Sequence, residues 1–184
     1  MEAFVKPPAS FEIRRLLIRR PRQDDAVAIF ERYASDREVT RYVGWPRHLS
    51  VETTKAFVAS SDDEWLRWPA GPYLVLLRDD HRLIGGTGLG FEAPDRASMG
   101  YVLARDAWGH GYATEALQAM VDIAPGLGVR RLYAICHALH SASARVLEKC
   151  GFEREGILRR YLEFPNLTPP EWADVLCYSR IFEP

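Results

Sequence analysis

The chain has 184 residues, of which 47% are hydrophobic and 27% are charged, and its formal net charge is −1. This length and composition are typical of one globular domain with its own core, and the near-zero charge gives no overall reason to expect a nucleic-acid partner. No apolar stretch is long enough to cross a bilayer. The three cysteines, Cys136, Cys150 and Cys177, are widely spaced, which argues against a disulfide framework and favours a cytoplasmic location.

Residue spacing in the first half of the chain predicts strands and helices separated by proline and glycine breaks. Ser50 is a good N-cap residue, and the helix that follows it has Val51, Phe57 and Val58 in its apolar stripe. The predicted strands of this half are Phe11–Arg20, Tyr73–Leu77, Arg82–Phe91 and Met99–Leu103, and the predicted helices are Asp24–Arg32, a short helix Asp36–Tyr42, and a helix from Ser50 to about Trp65.

The second half alternates helices and strands. Its predicted helices are Thr114–Ala124 and Ser141–Lys149, and its predicted strands are Leu132–Cys136, Phe152–Leu162 and Trp172–Phe182. The whole order, β-α-α-α-β-β-β-α-β-α-β-β, predicts an α/β layer structure with a mixed sheet. We expect one domain over residues 11–182, preceded by a short disordered lead-in over residues 1–10 that lacks the hydrophobic stretch of a signal peptide.

A glycine-rich loop stands between a predicted strand and a predicted helix, at Trp108–Gly109–His110–Gly111–Tyr112. Two glycines one residue apart allow a tight turn that points several backbone N–H groups at one spot, and the helix N-terminus behind them favours a phosphate group there. The loop therefore predicts a phosphate-bearing ligand. The chain lacks both the Gly-Lys-Ser/Thr ending and the Gly-x-Gly-x-x-Gly spacing of common nucleotide-binding loops, which disfavours a generic nucleotide-binding domain.

Two segments of the second half carry a resemblance to a known family. Tyr101–Leu103 followed by Ala107–Ala116, and then Ser143–Phe152, closely resemble the GNAT superfamily of acetyl-CoA-dependent N-acetyltransferases in order and separation. The chain looks most like the Rim-type branch, which includes the ribosomal-protein N-terminal acetyltransferases. The likeness extends to both ends, at Arg15–Arg19 and at Asp174–Tyr178.

The resemblance implies a mixed, mostly antiparallel central sheet flanked by helices, in which the parallel strands Met99–Leu103 and Leu132–Cys136 splay apart. The pantetheine arm of acetyl-CoA would extend the first of these strands, and its pyrophosphate would sit on the N–H groups of the glycine loop. The cofactor-binding residues implied in this way are Tyr101, Val102, Leu103, Gly109, His110, Gly111, Tyr112, Ala113, Thr114, His140, Ser143 and Arg145. A solvated helix face is the alternative for Arg145.

Acetyl transfer needs a proton source for the departing thiolate and a donor to the oxyanion. The resemblance points to Ser143 as the proton source, with helix capping as its alternative or additional role. Leu147 stands where many relatives have a tyrosine, and Cys150 is more typical of a small buried apolar residue than of a donor. The oxyanion donor would be a backbone N–H near Val102 or Leu103.

The general base is less clearly marked. Some relatives have a glutamate where this chain has Arg160, which cannot act as a base. Glu92, Tyr161 and Glu163 remain as candidates, with solvated strand-end positions as the alternative for each. An α-amino group, whose pKa in peptides is about 7.7–8, needs no dedicated base because it is already partly neutral.

A metal is not expected. Cys136, His137 and His140 are close in sequence, but neighbouring strand residues face opposite sides of a sheet and no fourth ligand stands at a suitable spacing.

The resemblance implies that the substrate cleft forms near four aromatic residues of the first half, Tyr42, Trp45, Trp65 and Trp68. Most of them are expected in the core, and one or two could line an apolar acceptor wall. The acidic residues that could attract an amine are Glu38, Glu52, Asp62, Asp63 and Glu64, with solvated helix faces as the alternative.

The favoured function is transfer of an acetyl group from acetyl-CoA to a primary amine in a ternary complex. The acceptor would be a protein N-terminal α-amine or a small molecule, with neither nucleic acid nor membrane as a partner, and the protein would be a monomer or homodimer. An acyl-CoA-binding sensor with little catalysis is the alternative, because His140, Leu147 and Arg160 replace residues that the family uses.

Overall fold

The computed structural model describes Pro7 and residues 9–183, and within them eight strands form one sheet in the order β1-β2-β3-β4-β5-β6-β8-β7. The expected lead-in lies mostly outside the described residues. The strands are β1 (Ser10–Glu12), β2 (Leu16–Arg19), β3 (Pro72–Leu77), β4 (Leu83–Ala93), β5 (Arg96–Leu103), β6 (Arg131–His137), β7 (Glu153–Phe164) and β8 (Glu171–Ile181).

Four α-helices connect these strands. They are α1 (Ala26–Ile29), which continues into a π-helical turn over Phe30–Ala34, α2 (Val51–Arg67), α3 (Tyr112–Ile123) and α4 (Ser141–Lys149). The predicted N-cap of α2 is confirmed, since Ser50 Oγ accepts a hydrogen bond from the Thr53 N–H at 3.3 Å. Over the described ranges, no helix is long and apolar enough to cross a membrane.

Two sequence predictions about the first half are wrong. Residues 11–20 form two strands and not one, because the Ile13 N–H bonds the Leu16 carbonyl at 2.9 Å and turns the chain back on itself. The predicted short helix over residues 36–42 is a series of turns. Asp36 Oδ1 accepts from the N–H groups of Glu38 and Val39, and such side-chain bonds compete with a regular helix.

Both faces of the sheet are covered, because successive residues of a strand point to opposite sides. On β3, Tyr73 and Val75 belong to the larger core, which also contains Leu117 of α3. Leu74 and Leu76 face the second core, which lies under α1 and α2. Helices therefore pack on both sides, and the sheet between them is the rigid frame of the site.

The sheet opens at the middle. All neighbouring strands are antiparallel except β5 and β6, which pair in parallel only from Arg96↔Arg131 to Ser98↔Tyr133. Beyond this point the two strands separate while β5 continues to pair with β4 as far as Leu103. The mixed, mostly antiparallel sheet and its splayed parallel pair are thus confirmed.

Candidate active site

A cavity of about 1040 Å³ occupies the opening between β5 and β6 and extends toward α1 and α2. Most of the residues that the sequence assigns to the cofactor meet in its wall: Tyr101, Val102, Leu103, Gly109, Gly111, Tyr112, Ala113, Thr114, His140 and Ser143. His110 and Arg145 do not line it, and the exposed side chain of Arg145 leaves its phosphate contact a prediction. Lys149, one turn further along α4, does line the cavity, and the sequence analysis did not single it out.

The glycine loop presents a row of unused hydrogen-bond donors. Gly109 and Gly111 have φ angles of 80° and 79°, in the left-handed region that favours glycine. Across the described residues, the backbone N–H groups from Gly109 to Thr114 have no acceptor within the protein. The N-terminal end of α3 adds a partial positive charge at the same place. These features fit the pyrophosphate of a coenzyme.

Arg15 holds this loop from the turn between β1 and β2. Its backbone N–H and Nε each donate to the Glu115 carboxylate at 2.7 Å, and its Nη1 donates to the His110 carbonyl at 3.0 Å. Its guanidinium also lies over the ring of Tyr112, with Cζ 4.5 Å from the ring centroid. The loop is thereby fixed with a cation beside Gly111, a feature that the sequence analysis missed.

Ser143 lies buried at the cavity wall and bonds Tyr101. The Tyr101 hydroxyl donates to Ser143 Oγ at 3.2 Å, and burial raises the pKa of Tyr101 to about 12, so the phenol stays protonated at neutral pH. The N-cap of α4 is His140, which makes no side-chain cap bond, and Ser143 lies within the first turn of that helix. The serine side chain therefore faces the cavity and not the helix end.

Two histidines lie close to the ring of Tyr42. The ring centroids of His137 and His140 are 4.6 and 5.1 Å from that of Tyr42, and burial lowers the pKa of both histidines. His137 Nδ1 accepts from the Leu139 N–H at 3.1 Å, and its Nε2 has no partner among the described residues. In the part of the chain that the structure describes, no group of three or more potential ligands gathers in metal-binding geometry.

The candidate bases are placed outside the cavity wall. Glu92 accepts from Arg96 Nε at 3.0 Å and from the Tyr133 hydroxyl, at the end of the sheet where β5 and β6 still pair. Tyr161 and Glu163 lie on the edge strand β7, and neither lines the cavity. Their roles as bases stay predictions.

The half of the cavity that extends toward α1 and α2, called the far half below, has an aromatic wall. Tyr42, Trp45 and Phe57 line it, whereas Trp65 is buried in the core and donates from Nε1 to the Pro72 carbonyl at 2.9 Å. Trp68 stacks on Phe91, with ring centroids 5.6 Å apart, and does not line the cavity.

Of the acidic residues that the sequence suggests for attracting an amine, only one lines the cavity. Glu38 lines the cavity, whereas Glu52, Asp62, Asp63 and Glu64 lie along α2 and do not. Glu52 pairs with Lys55 at 2.8 Å, and Asp62 pairs with Arg20 at 3.3 Å.

Asn166, in the loop between β7 and β8, holds the segment that carries this aromatic wall. Its Nδ2 donates to the carbonyls of Thr40 and Trp45 at 2.8 and 2.9 Å, and its Oδ1 accepts from the Arg47 N–H at 2.7 Å. A single side chain thus ties residues 40–47 to the loop between β7 and β8. No sequence pattern marks this role of Asn166.

A sheet that splits beside a cradle of free N–H groups is the architecture of the acyltransferase class that the sequence resembles. A model of the acetyltransferase (GNAT) domain family matches residues 15–153, and the chain therefore belongs to the GNAT acetyltransferase family.

Curated and solved proteins agree with this assignment. The chain is 33% identical over 166 residues to an uncharacterized N-acetyltransferase, YoaA of Bacillus subtilis (strain 168), covering 86% of this chain and 90% of that protein. It superposes on a GNAT-family acetyltransferase from Bacillus anthracis with a TM-score of 0.80 and 27% identity, covering 94% of this chain and 98% of that one.

Rim-type enzymes share the fold. RimL, a ribosomal-protein α-N acetyltransferase solved in complex with coenzyme A, superposes with a TM-score of 0.80 and 23% identity, covering 95% of this chain and 97% of RimL. The expected family and fold are thus confirmed.

Proposed function

We propose that this protein transfers the acetyl group of acetyl-CoA to the nitrogen of a primary amine while both substrates occupy the cavity between β5 and β6. The observation that carries the proposal is the continuity of the free N–H groups at residues 109–114 with the unpaired edge of β5 in one cavity. The solved complex of RimL with coenzyme A supports a coenzyme in this fold.

The chain's own groups would hold the coenzyme at two places. The N–H groups from Gly109 to Thr114 would bind the pyrophosphate, with the dipole of α3 adding positive potential. Arg15, whose charge is paired with Glu115, would hold the loop in place. The edge of β5 beyond Ser98 would bond the pantetheine amides as an added strand would. Together they would direct the thioester into the middle of the cavity.

Acetyl-CoA supplies a thioester carbonyl that the amine nitrogen attacks, forming a C–N bond as the C–S bond breaks. A backbone N–H near Val102 or Leu103 would stabilise the oxyanion. Ser143 would donate a proton to the departing sulfur while the Tyr101 hydroxyl stabilises the serine oxygen through its hydrogen bond. The serine would then regain a proton from solvent, which receives the proton that the amine gives up after attack. The charge on sulfur is then neutralised inside a partly closed cavity.

The amine proton need not pass to a dedicated base. Glu92 and Tyr161 lie outside the cavity wall, and an amine with a pKa of about 7.7–8 is substantially neutral near pH 8. We therefore propose that the acceptor enters as the free amine and releases its proton to solvent after attack.

The test is a pair of measurements on the purified protein. Calorimetric titration with acetyl-CoA should show saturable binding, and release of free thiol should depend on an added amine. Binding without thiol release across a broad amine panel would instead establish an acyl-CoA sensor. The absence of binding would contradict the cradle itself.

A further inference from the structure

We propose that the acceptor is a single amine carried on an apolar side group, aromatic or branched aliphatic, and not a polyamine or an aminosugar. This inference rests on the proposed function and deepens it. It is drawn from the far half of the cavity, which the coenzyme sites described above leave for the second substrate. The cavity, of about 1040 Å³, continues from β5 and the glycine loop to Trp45, His48 and Phe57.

The wall of this half is built from rings and branched side chains. Trp45 lies with its ring centroid 5.3 Å from that of His48, and His48 lies 6.2 Å from Phe57. Tyr42 and Leu162 line the same cavity. An apolar group of the acceptor would therefore exchange water for ring faces and methyl groups, which is favourable in proportion to the area buried.

His48 adds no positive charge to this wall. Its Nδ1 lies 2.8 Å from the Thr54 hydroxyl, and its backbone N–H donates to the Ala34 carbonyl at 3.0 Å. Because burial lowers its pKa, the ring is neutral at pH 7. It behaves there as a further aromatic surface.

The charges that line the cavity oppose a polycationic acceptor. Among the described residues, the charged side chains in its wall are Glu38, Arg41 and Lys149, two cations and one carboxylate. Molecules with three or more ammonium groups need several carboxylates to replace their hydration. A molecule with one amine that enters uncharged, as proposed above, needs no carboxylate in the wall.

The wall is also held in place before any substrate arrives. Asn166 bonds the backbone at Thr40, Trp45 and Arg47, and Gly44 packs so closely that a Cβ there would lie 3.0 Å from Leu162 Cδ2. A preformed apolar wall binds a matching group without first paying for its ordering. The wild-type protein should therefore show different kcat/KM values for amines with and without an apolar side group.

The experiment compares kcat/KM for phenylalaninamide, leucinamide, glycinamide, spermidine and kanamycin, with acetyl-CoA as donor and free thiol as readout. The first two should exceed the other three at least about tenfold, the scale expected for burying one apolar side chain. Glycinamide is the matched control because it has the same α-amine without a side group.

Two variants test whether the aromatic wall causes the preference for apolar amines. Trp45→Ala and Phe57→Ala should each lower the ratio of kcat/KM for phenylalaninamide to that for glycinamide by about fivefold or more. Leu66→Ala is the matched control, since Leu66 lies on α2, is 84% exposed and does not line the cavity. The ratio is measured within one preparation, so any loss of folded protein cancels.

The outcomes separate the two proposals. Equal rates for glycinamide and phenylalaninamide, or a preference for spermidine or kanamycin, would overturn this inference and leave the acetyltransferase function standing. An unchanged ratio in both variants would also overturn it. Thiol release with none of the amines would overturn the proposed function and this inference with it.

Discussion

The hydroxyl of Tyr101 donates to Oγ of Ser143 at 3.2 Å, which joins β5 to α4 across the cavity. The serine oxygen is an acceptor in this bond, so its own hydrogen is free to point elsewhere. Leu147 stands on α4 where many relatives of this family have a tyrosine, whereas here a phenol reaches the same region from the strand. The pair therefore places two hydroxyl groups together at the cavity wall.

Removing either hydroxyl should slow turnover more than it weakens coenzyme binding. We expect Ser143→Ala to lower kcat by roughly a hundredfold, the low end for loss of a general acid, and Tyr101→Phe to lower it less. The double variant should be no slower than Ser143→Ala, because the two groups act as one unit. Steady-state kinetics and calorimetry with acetyl-CoA measure both effects.

Ser141→Ala is the matched control for this cycle, since Ser141 is exposed at the start of the same helix. A wild-type rate in Ser143→Ala would show that the serine has no role in proton transfer. Fully additive losses would show that the hydrogen bond between the two hydroxyls is not used in catalysis.

Gly111→Glu should abolish acetyl-CoA binding. It places a bulky anion beside the proposed pyrophosphate site, in a backbone conformation of φ 79° that side chains rarely adopt. Gly128→Glu is matched for backbone strain, with φ 84° at an exposed position that does not line the cavity. We expect Gly128→Glu to lose stability only, by about 1–2 kcal/mol. Equal affinity for acetyl-CoA in wild type and Gly111→Glu would contradict the cradle.

Asn166→Ala should raise KM for the amine and leave the Kd of acetyl-CoA nearly unchanged. The variant removes three hydrogen bonds to residues 40–47, and the unpaired backbone groups cost about 1–3 kcal/mol. Arg37→Ala serves as control, because Arg37 is an exposed residue of the same region. A matching rise in the Kd of acetyl-CoA would show that the segment shapes the whole cavity and not only the acceptor half.

The Asp25 carboxylate makes the free energy of unfolding depend on pH. Burial alone would raise the pKa of this carboxyl, but hydrogen bonds from Arg19 and from the Arg22 N–H outweigh burial and lower it. The stabilisation is thus complete above the ordinary pKa near 3.8 and is lost as pH falls through the lowered value. Asp25→Asn should cost about 1–3 kcal/mol at pH 7.

Thermal unfolding across pH 2–7 measures this difference, which should shrink below about pH 4. Asp79→Asn, at an exposed carboxylate, gives the control curve. A difference between wild type and Asp25→Asn that stays constant with pH would mean that the pair with Arg19 contributes nothing through its charge.

Local patterns were enough to predict the helices α2, α3 and α4 and the glycine loop, because each depends on residues close together in sequence. The opening of the sheet was expected only from the family resemblance, since it involves strands whose paired residues are far apart in sequence. Arg15 and Asn166 were missed because their partners are remote: Arg15 and Glu115 are 100 residues apart, and Asn166 and Arg47 are 119 apart. No spacing rule marks such pairs. The β1–β2 turn was missed because apolar and arginine residues continue through it without a glycine or proline break.

The end of pairing at Ser98↔Tyr133 leaves an unsatisfied strand border in the middle of the molecule. Borders of this kind at the outside of a sheet invite other chains to join and aggregate. Here α3 and α4, which pack on each other and on the two strands, screen the border. The unpaired backbone groups of β5 thereby stay accessible to a narrow ligand, whereas the two helices shield them from pairing with a strand of a second polypeptide.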